Sequence, residues 1–476
     1  MNRDGYTSPL SERYASPAML ALWSPNRRYG LWRRLWLTLA EEQQKLGVPI
    51  TDEALAQMRE QLDDIDYDAV ATYERRFRHD VMAHVHAFGD AAPAARGIIH
   101  LGATSAFVAD NADLILMREA LGIVRAKLYD VLRALADFAR TWRDEAALGY
   151  THLQPAQLTT VGKRATLWMQ DVILDLADIE HRIATMPLRG VKGTTGTQAS
   201  FLELFQGNHA KVRELDANVT RALGFERSLP ATGQTYTRKL DAHVLDVLGG
   251  VAATTSKFAS DVRMLQSFGE MSEPFETGQV GSSAMAYKRN PMRSERINSL
   301  ARFILSIVQN ANQNHAVQYF ERTLDDSANR RLVIPDAFLT TDAIVILMQN
   351  VASGLEVHRA RIRQRIADEL PFMATEMMLV QAVRAGGDRQ VVHEVIRRHS
   401  VAASHVMKND GARNDLFERL AGDPDFPIGL SELRSLADSS HFVGRAPQQV
   451  DEFLDDVVKP LLASAPAPVG RDEVRV

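Results

Sequence analysis

Two segments of this chain carry the residue types that proton transfer and anion binding need. Gly278 to Glu295 reads GQVGSSAMAYKRNPMRSE, in which glycines and serines supply pliable backbone and hydroxyls while Lys288, Arg289, Arg293 and Arg296 concentrate positive charge around them. A connection of that length in a compact protein is usually a lid or a site, and this composition suits a loop that closes over an anion. Gly149 to Thr160, GYTHLQPAQLTT, puts His152 just ahead of a helix expected to begin near Thr159. An imidazole held outside regular structure and near a helix start can be tuned as an acid or base around neutrality, although a lone histidine is more often structural.

Two more segments offer charge without an obvious packing reason. Arg78 to His86, RHDVMAHVH, gathers three histidines; on one helix His79 and His86 share a face and His84 does not, and the four-residue spacing of zinc helices is missing, so no metal is expected. Its functional reading is an Arg-His-Asp cluster presented to a ligand, and the plain one is a polar helix face. Phe320 to Arg331, FERTLDDSANRR, could bring Arg322, Ser327, Arg330 and Arg331 onto a phosphate through charge-assisted bonds, or simply be a solvated turn. The run GVKGTTGTQ from Gly190 lacks the Gly-Lys-Ser/Thr ending of a phosphate loop and follows a helix instead of a strand, which excludes an ATP or dinucleotide reading.

The elements that must position these groups are helical. From Thr159 to Met186, apolar residues at Val161, Trp168, Val172, Leu176, Ile179, Ile183 and Met186 stack on one face, and Leu167, Ile173 and Leu174 widen the stripe, predicting burial on more than one side. Asp110 to Ala146, Thr237 to Phe268, Arg293 to Phe320 and Arg330 to Gly354 read the same way, the last with Pro335 near its start. Five long helices imply an elongated bundle, and nothing alternates with period two for long enough to demand a large sheet. Shorter helices are expected at Tyr29 to Leu46, closed by Gly47, after a Thr51 cap, and running into His79 to Phe88. Others lie beyond His358, with a loose tail from Ala463. The fold class is all-α, in three helical domains: 1–104, a long central bundle 105–357, and 358–476.

Composition narrows function by exclusion. The 476 residues are 45% hydrophobic and 24% charged, which is globular, and a net charge of −5 gives no whole-chain pull toward nucleic acid or an anionic membrane. Anionic ligands must therefore be held by local clusters of arginine and lysine. Zero cysteines exclude disulfides, thiolate metal sites and cysteine nucleophiles. With no apolar signal core at the start and no uninterrupted membrane-length window, a cytoplasmic location is expected.

The stretch GSSAMAYKRNP resembles the signature of the aspartase/fumarase superfamily, and its Tyr-Lys-Arg-Asn-Pro ending is similar to the adenylosuccinate lyase family, in the branch that includes animal enzymes. Further similar stretches run through the chain: SPLSERYAS, RHDVMAHVH, IIHLGATS, THLQPAQLTTVGKR, RGVKGTTGTQASF, TGQTYTRK, ERTLDDSANRR, LPFMATE and GRAPQQV. The resemblance implies a homotetramer of D2 symmetry whose central helices form one bundle and whose active sites join loops from three subunits. It implies a fumarate-releasing elimination without metal or cofactor, with Ser282 as base, His152 as acid, Lys288 activating the serine and Glu295 orienting the histidine. It places Lys288, Asn290, Thr104, Ser105, His79 and Gln234 near two succinyl carboxylates. Arg13, Tyr14, Arg322, Ser327 and Arg331 fall on a nucleotide phosphate, with Arg78, Asp80 and Arg296 completing the pocket. One departure is Ala286 where the family usually has proline, which should loosen the open loop and raise the entropic cost of closing it. An argininosuccinate lyase or fumarase gives no reason for the Arg322 to Arg331 cluster, and a silent scaffold gives none for intact Ser282, His152 and Lys288.

Overall fold

The computed structural model describes residues 4–470, 472 and 474. Its main helices, in chain order, are α1 (Pro25–Lys45), α2 (Tyr67–Phe77), α3 (Asp80–Ala91), α4 (Ser105–Thr141) and α5 (Val161–Thr185). There follow α6 (Lys239–Ser267), α7 (Met292–Ile307), α8 (Gln309–Ala316), α9 (Asp325–Gly354) and α10 (Arg359–Met373). The all-α expectation holds. The strands among the described residues make two small antiparallel pairs, β1 (Ala146–Thr151) with β2 (Gln154–Thr160), and β3 (Met271–Ser272) with β4 (Glu356–Val357).

Helices α4, α5, α6, α7 and α9 form the bundle, and their apolar stripes meet in one core. Leu128 and Leu135 of α4, Val172 and Ile179 of α5, Leu248 and Phe258 of α6, and Phe338 and Met348 of α9 are wholly or almost wholly buried there. Burying each such side chain is worth about 1.5–3 kcal/mol, so the bundle rests on this apolar contact and the polar ends can be spent on chemistry. Trp168 packs edge-on against Phe258 at 5.1 Å and donates its indole N–H to Asp261 at 2.8 Å. A second core, around Met378, Val392, Leu416 and Leu433, serves the helices after α10.

Several boundaries differ from the sequence expectation, each for a local reason. The helix predicted from Arg330 begins at Asp325, where two aspartates favour a first turn, so Pro335 is interior and leaves the Arg331 carbonyl without its helical donor. The helix expected across Arg293 to Phe320 breaks between α7 and α8. Arg78 takes a left-handed conformation, φ 54°, and ends α2, while His79 caps α3, so RHDVMAHVH is a helix junction and not one helix. Leu167 and Leu174, expected to be buried, are 54% and 58% exposed in the single chain. The tail beyond Ala463 is docked instead of loose: Arg133 donates to the Pro466 carbonyl, Asp130 accepts from Val469 N–H, and Lys127 reaches Asp472 at 2.7 Å. Helix α9 is long and apolar enough to cross a membrane, but 83% of its apolar window is buried inside the bundle.

Candidate active site

A cleft of about 690 Å³ opens where α2 meets α3, α4 starts and α9 starts. Arg78, His79, Asp80, Ser105, Gln234, Arg322, Ser327 and Arg331 all line it, so eight of the expected binding residues converge from four separated segments. The local geometry follows from helix ends. His79 Nδ1 accepts the Met82 N–H at 3.4 Å as the cap of α3, which leaves Nε2 to donate to Ser105 Oγ at 3.3 Å in the neutral ring. Thr104 stands at the head of α4, buried, and its hydroxyl accepts from Gln234 Nε2 at 3.1 Å. Ser327 and Arg331 are one turn apart on α9 and share a face. Arg331 donates to Asp80 at 2.8 Å. Burial pushes the Asp80 carboxyl up, but the Arg331 hydrogen bond and the Val81 N–H outweigh it and hold the group below the usual carboxylate range.

Beneath the cleft lies a buried ionic floor that residue spacing did not reveal. Arg238, 1% exposed, contacts Asp326 at 2.6 Å and Asp110 at 3.2 Å, and Asp326 in turn accepts from Arg322 at 3.2 Å. Arg330 contacts Asp241 at 2.7 Å and Asp113 at 3.0 Å and donates to the Tyr236 hydroxyl at 2.6 Å; that hydroxyl donates to Asp241. Arg330 was expected to reach for a phosphate with its neighbours, but one residue of helix rotates it about 100° from Arg331, and it belongs to the floor. Arg189 donates to the carbonyls of Gly190, Gly193 and Gln234, with burial lowering its pKa to about 10. The GVKGTTGTQ run is thereby a brace for Gln234: a Cβ at Gly196 would sit 1.8 Å from the Thr232 carbonyl oxygen, so only glycine allows that approach.

The other two histidines of RHDVMAHVH pack as aromatic rings. His84 stacks on Tyr29 at 4.0 Å, and burial, then Arg33, lowers its pKa to about 4; His86 stacks on Phe77 at 4.7 Å.

His152 is elsewhere. The segment expected to be a loop is the β1–β2 hairpin, and His152 and Leu153 form its two-residue tip with φ of 52° and 59°, the left-handed pair that a tight hairpin turn demands. Such backbone costs of order 1 kcal/mol per non-glycine residue. The hairpin is rooted at the C-terminal end of α4, whose 37 residues span about 55 Å at a rise of about 1.5 Å each, while Thr104 and Ser105 stand at its other end.

The serine loop follows the C-terminal end of α6, whose 29 residues place it about 43 Å from Gln234 and Arg238 at the N-terminal end. Ser282 Oγ accepts the N–H groups of Ala284 at 3.3 Å and Met285 at 3.1 Å. Asn290 donates to the Gly281 carbonyl at 2.8 Å, and a Cβ on Gly281 would lie 2.2 Å from the Lys288 carbonyl oxygen, so the loop closes on itself only with glycine there. Lys288 and Tyr287 are exposed. Arg293, expected among the loop's free charges, is 1% exposed and ties Pro274 and Glu276 to the start of α7. Glu295 is exposed in the first turn of α7.

Arg13, Tyr14 and Arg296 form a third group, lining a small recess with Ala343, Ile346 and Leu347 midway along α9; the Arg296 guanidinium lies 5.4 Å from the Tyr14 ring. Among the described residues no hydrogen bond joins His152, Ser282 or Glu295 to one another or to the cleft.

Comparison with known proteins matches residues 26–305 to a family described as Lyase and residues 371–453 to one described as Adenylosuccinate lyase C-terminus. The chain is 54% identical over 454 residues to an adenylosuccinate lyase of Saccharomyces cerevisiae, covering 95% of this chain and 94% of that one. It is 46% identical to one of Schistosoma mansoni, covering 96% of each. Among solved structures, a fumarate lyase from Mesorhizobium sp. BNC1 superposes with a TM-score of 0.78 at 22% identity, covering 93% of this chain and 99% of that one. A 3-carboxy-cis,cis-muconate lactonizing enzyme from Pseudomonas putida does so with 0.81 at 21%, covering 95% and 98%; both show the shared fold.

Proposed function

This chain belongs to the adenylosuccinate lyase family, and from that membership we propose that it eliminates fumarate from adenylosuccinate, giving AMP, and from SAICAR, giving AICAR, in cytoplasmic purine synthesis. The elimination needs a base beside a carboxylate, an acid for the departing nitrogen, and cations for the doubly charged carboxylate that forms between them. Ser282 is the base. Two backbone N–H groups already point at its oxygen, where they stabilise an alkoxide, and Lys288 adds charge when the loop closes. His152 is the acid, oriented by Glu295. His79, Thr104, Ser105, Gln234, Lys288 and Asn290 hold the carboxylates. Arg322, Ser327 and Arg331 clamp the nucleotide phosphate, joined by Arg13 and Tyr14, with Arg78, Asp80 and Arg296 completing the wall.

The observation that carries this reading is the convergence of eight cleft residues of the required chemistry from four segments. The lengths of α4 and α6 keep His152 and Ser282 far from that cleft within one chain, so we propose a homotetramer in which neighbouring subunits bring them to it. Leu167, Leu174, Phe303 and Leu305, exposed on the bundle, are the surface such neighbours would cover. Fumarate release from adenylosuccinate, followed for the unmodified chain and Ser282→Ala, is the test. The substitution is expected to lower turnover about a thousandfold or more while the assembly stays intact; turnover near that of the unmodified chain refutes the role of Ser282.

A further inference from the structure

The serine loop leaves the core just after β3 and returns to it at α7, and one buried side chain grips both ends. Glu273, 4% exposed, follows β3 directly. Its Oε1 accepts the Arg293 N–H at 2.9 Å, and its Oε2 accepts the N–H and the hydroxyl of Ser294, each at 2.9 Å. These are the second and third residues of α7, whose N–H groups a helix leaves free at its start and where a negative charge is favoured. A helix is ordinarily capped by the residue just before it, as Ser24 caps α1 and Thr160 caps α5. Pro291, before α7, makes no such bond. The cap comes instead from twenty residues upstream, across the whole serine loop, so capping α7 and closing the base of the loop are a single act.

The same junction is fastened twice more. Arg293 returns the grip, donating to the Pro274 carbonyl at 2.9 Å and pairing with Glu276. Gln266, in the last turn of α6, donates to the Arg289 carbonyl at 2.9 Å and accepts the Glu273 N–H at 3.2 Å, so one carboxamide bridges the outgoing and the returning chain. Ser272, just before Glu273, shares a hydrogen bond of 2.8 Å with His358, which ties the outgoing end to the core. Beyond this fastened base stands the outer part of the loop with Ser282 and exposed Lys288, and immediately after Ser294 stands Glu295. A displacement of about 1 Å in a reacting group can cost about a hundredfold in rate, so the element that sets both positions is a lever on the chemistry.

We propose that Glu273, assisted by Gln266, is a positioning residue for the elimination: it holds the base of the serine loop and the first turn of α7 as one unit, so that Ser282 and Glu295 keep a fixed relation while the outer loop moves. Buried beneath the loop, it acts only through the groups it places. The proposal rests on the roles read above for Ser282 and Glu295.

Glu273→Gln keeps the size and one carbonyl oxygen, so only one of the two helix N–H groups retains its acceptor. In the assembled enzyme, kcat for fumarate release is expected to fall about tenfold with KM held within about twofold, because the cleft residues are untouched. Limited trypsin digestion reads the clasp separately: cutting after Lys288 and Arg289, both exposed in the loop, should run several times faster while other sites keep their rates. A kcat within twofold of the unmodified chain overturns the proposal. So does a loss expressed mainly in KM, or cutting that accelerates at every site alike, since either marks general loosening. Ser282→Ala, assayed alongside, separates the two failures: if it keeps turnover, the role of Ser282 is wrong, and if it is dead while Glu273→Gln runs at full rate, the clasp alone is wrong. Should Glu273→Gln not assemble, Gln266→Leu leaves the α7 cap in place, cuts the bridge between the two chain ends, and must show the same split for the proposal to stand.

Discussion

Under the cleft, Arg238 and Arg330 are almost completely buried, each held by two carboxylates, while some 40 to 55 Å along the same helices His152 and Ser282 stand on a hairpin tip and a loop that solvent reaches. The floor is finished inside one chain: it immobilises Arg322 and the head of α9 before any ligand arrives. The tips are unfinished, with the proposed acid and base built on strained or pliable backbone that makes no contact with the cleft. Holding a substrate with two carboxylates and a phosphate demands charges fixed in advance, whereas proton transfer demands groups delivered on closure and shielded afterwards. Division of labour between the ends of a long helix is economical only when copies pack side by side and one subunit's tips meet another's cleft.

Mixing two dead enzymes tests that comparison most severely. The Ser282→Ala and His152→Ala variants, each expected to be inactive, are to be unfolded and reassembled together at equal ratio. If a site draws its serine and its histidine from different subunits, half the sites receive intact Ser282 and, independently, half receive intact His152, so about one quarter of native turnover should return. No recovery above that of the separate variants would place both groups in one subunit and break the division just described.

The floor is to be tested by Arg330→Met. Removing one guanidinium leaves buried Asp241 with the Tyr236 hydroxyl and no cation, and leaves Asp113 with Arg28 alone, and unpairing a buried charge costs about 3–5 kcal/mol. Burial opposes the Arg330 charge, yet Asp241, Tyr236 and Asp113 hold its pKa well above normal, so it remains ionised and the loss applies at every working pH. A thermal midpoint lowered by several degrees is expected, with substrate binding weakened along with it. A midpoint unchanged within about one degree would show the floor to be dispensable.

The bundle was legible in the sequence because four of its five helices run to 25 residues or more and their apolar spacing averages over many turns, as α5 illustrates. Short junctions were not: nothing in RHDVMAHVH announces that Arg78 turns left-handed and that His79 leaves the helix to cap the next one. The His152 hairpin was hidden because GYTHLQPAQLTT lacks the Asn-Gly or Asp-Gly pair that usually marks a tight turn, and tertiary bracing supplies what local preference does not. The cleft residues were nameable through motif resemblance, since each lies in a distinctive stretch. Asp110, Asp113, Asp326 and Arg238 were not named, because an aspartate in a helix interior reads as a solvated face until its partner, over 80 residues away for Arg238, is known. Leu167 and Leu174 were read as buried from spacing alone, and a single chain leaves them open.

That bracing yields the gentlest prediction and the one that links the two regions. Tyr150, two residues before the tip, donates its hydroxyl to Glu270 at 2.7 Å, and Arg365 of α10 donates to the same hydroxyl at 3.1 Å while lying 2.8 Å from that carboxylate. Its ring packs on Phe268 at 5.2 Å, beside the segment from which the serine loop departs. The buckle therefore fixes the aim of His152 without touching a reacting atom. Burial, followed by Glu270, pushes the Tyr150 hydroxyl up to about 12, so it stays a donor across the working range and contributes no limb of its own to a pH profile. Tyr150→Phe keeps the packing and deletes the donor. Because the cleft residues are untouched, KM should hold within about twofold, while kcat falls about tenfold as the tip loses its register. The same pH limbs should remain. A rise in KM at constant kcat would mean instead that the hairpin helps hold substrate, and the contrast between a holding floor and a proton-moving tip would have to be redrawn.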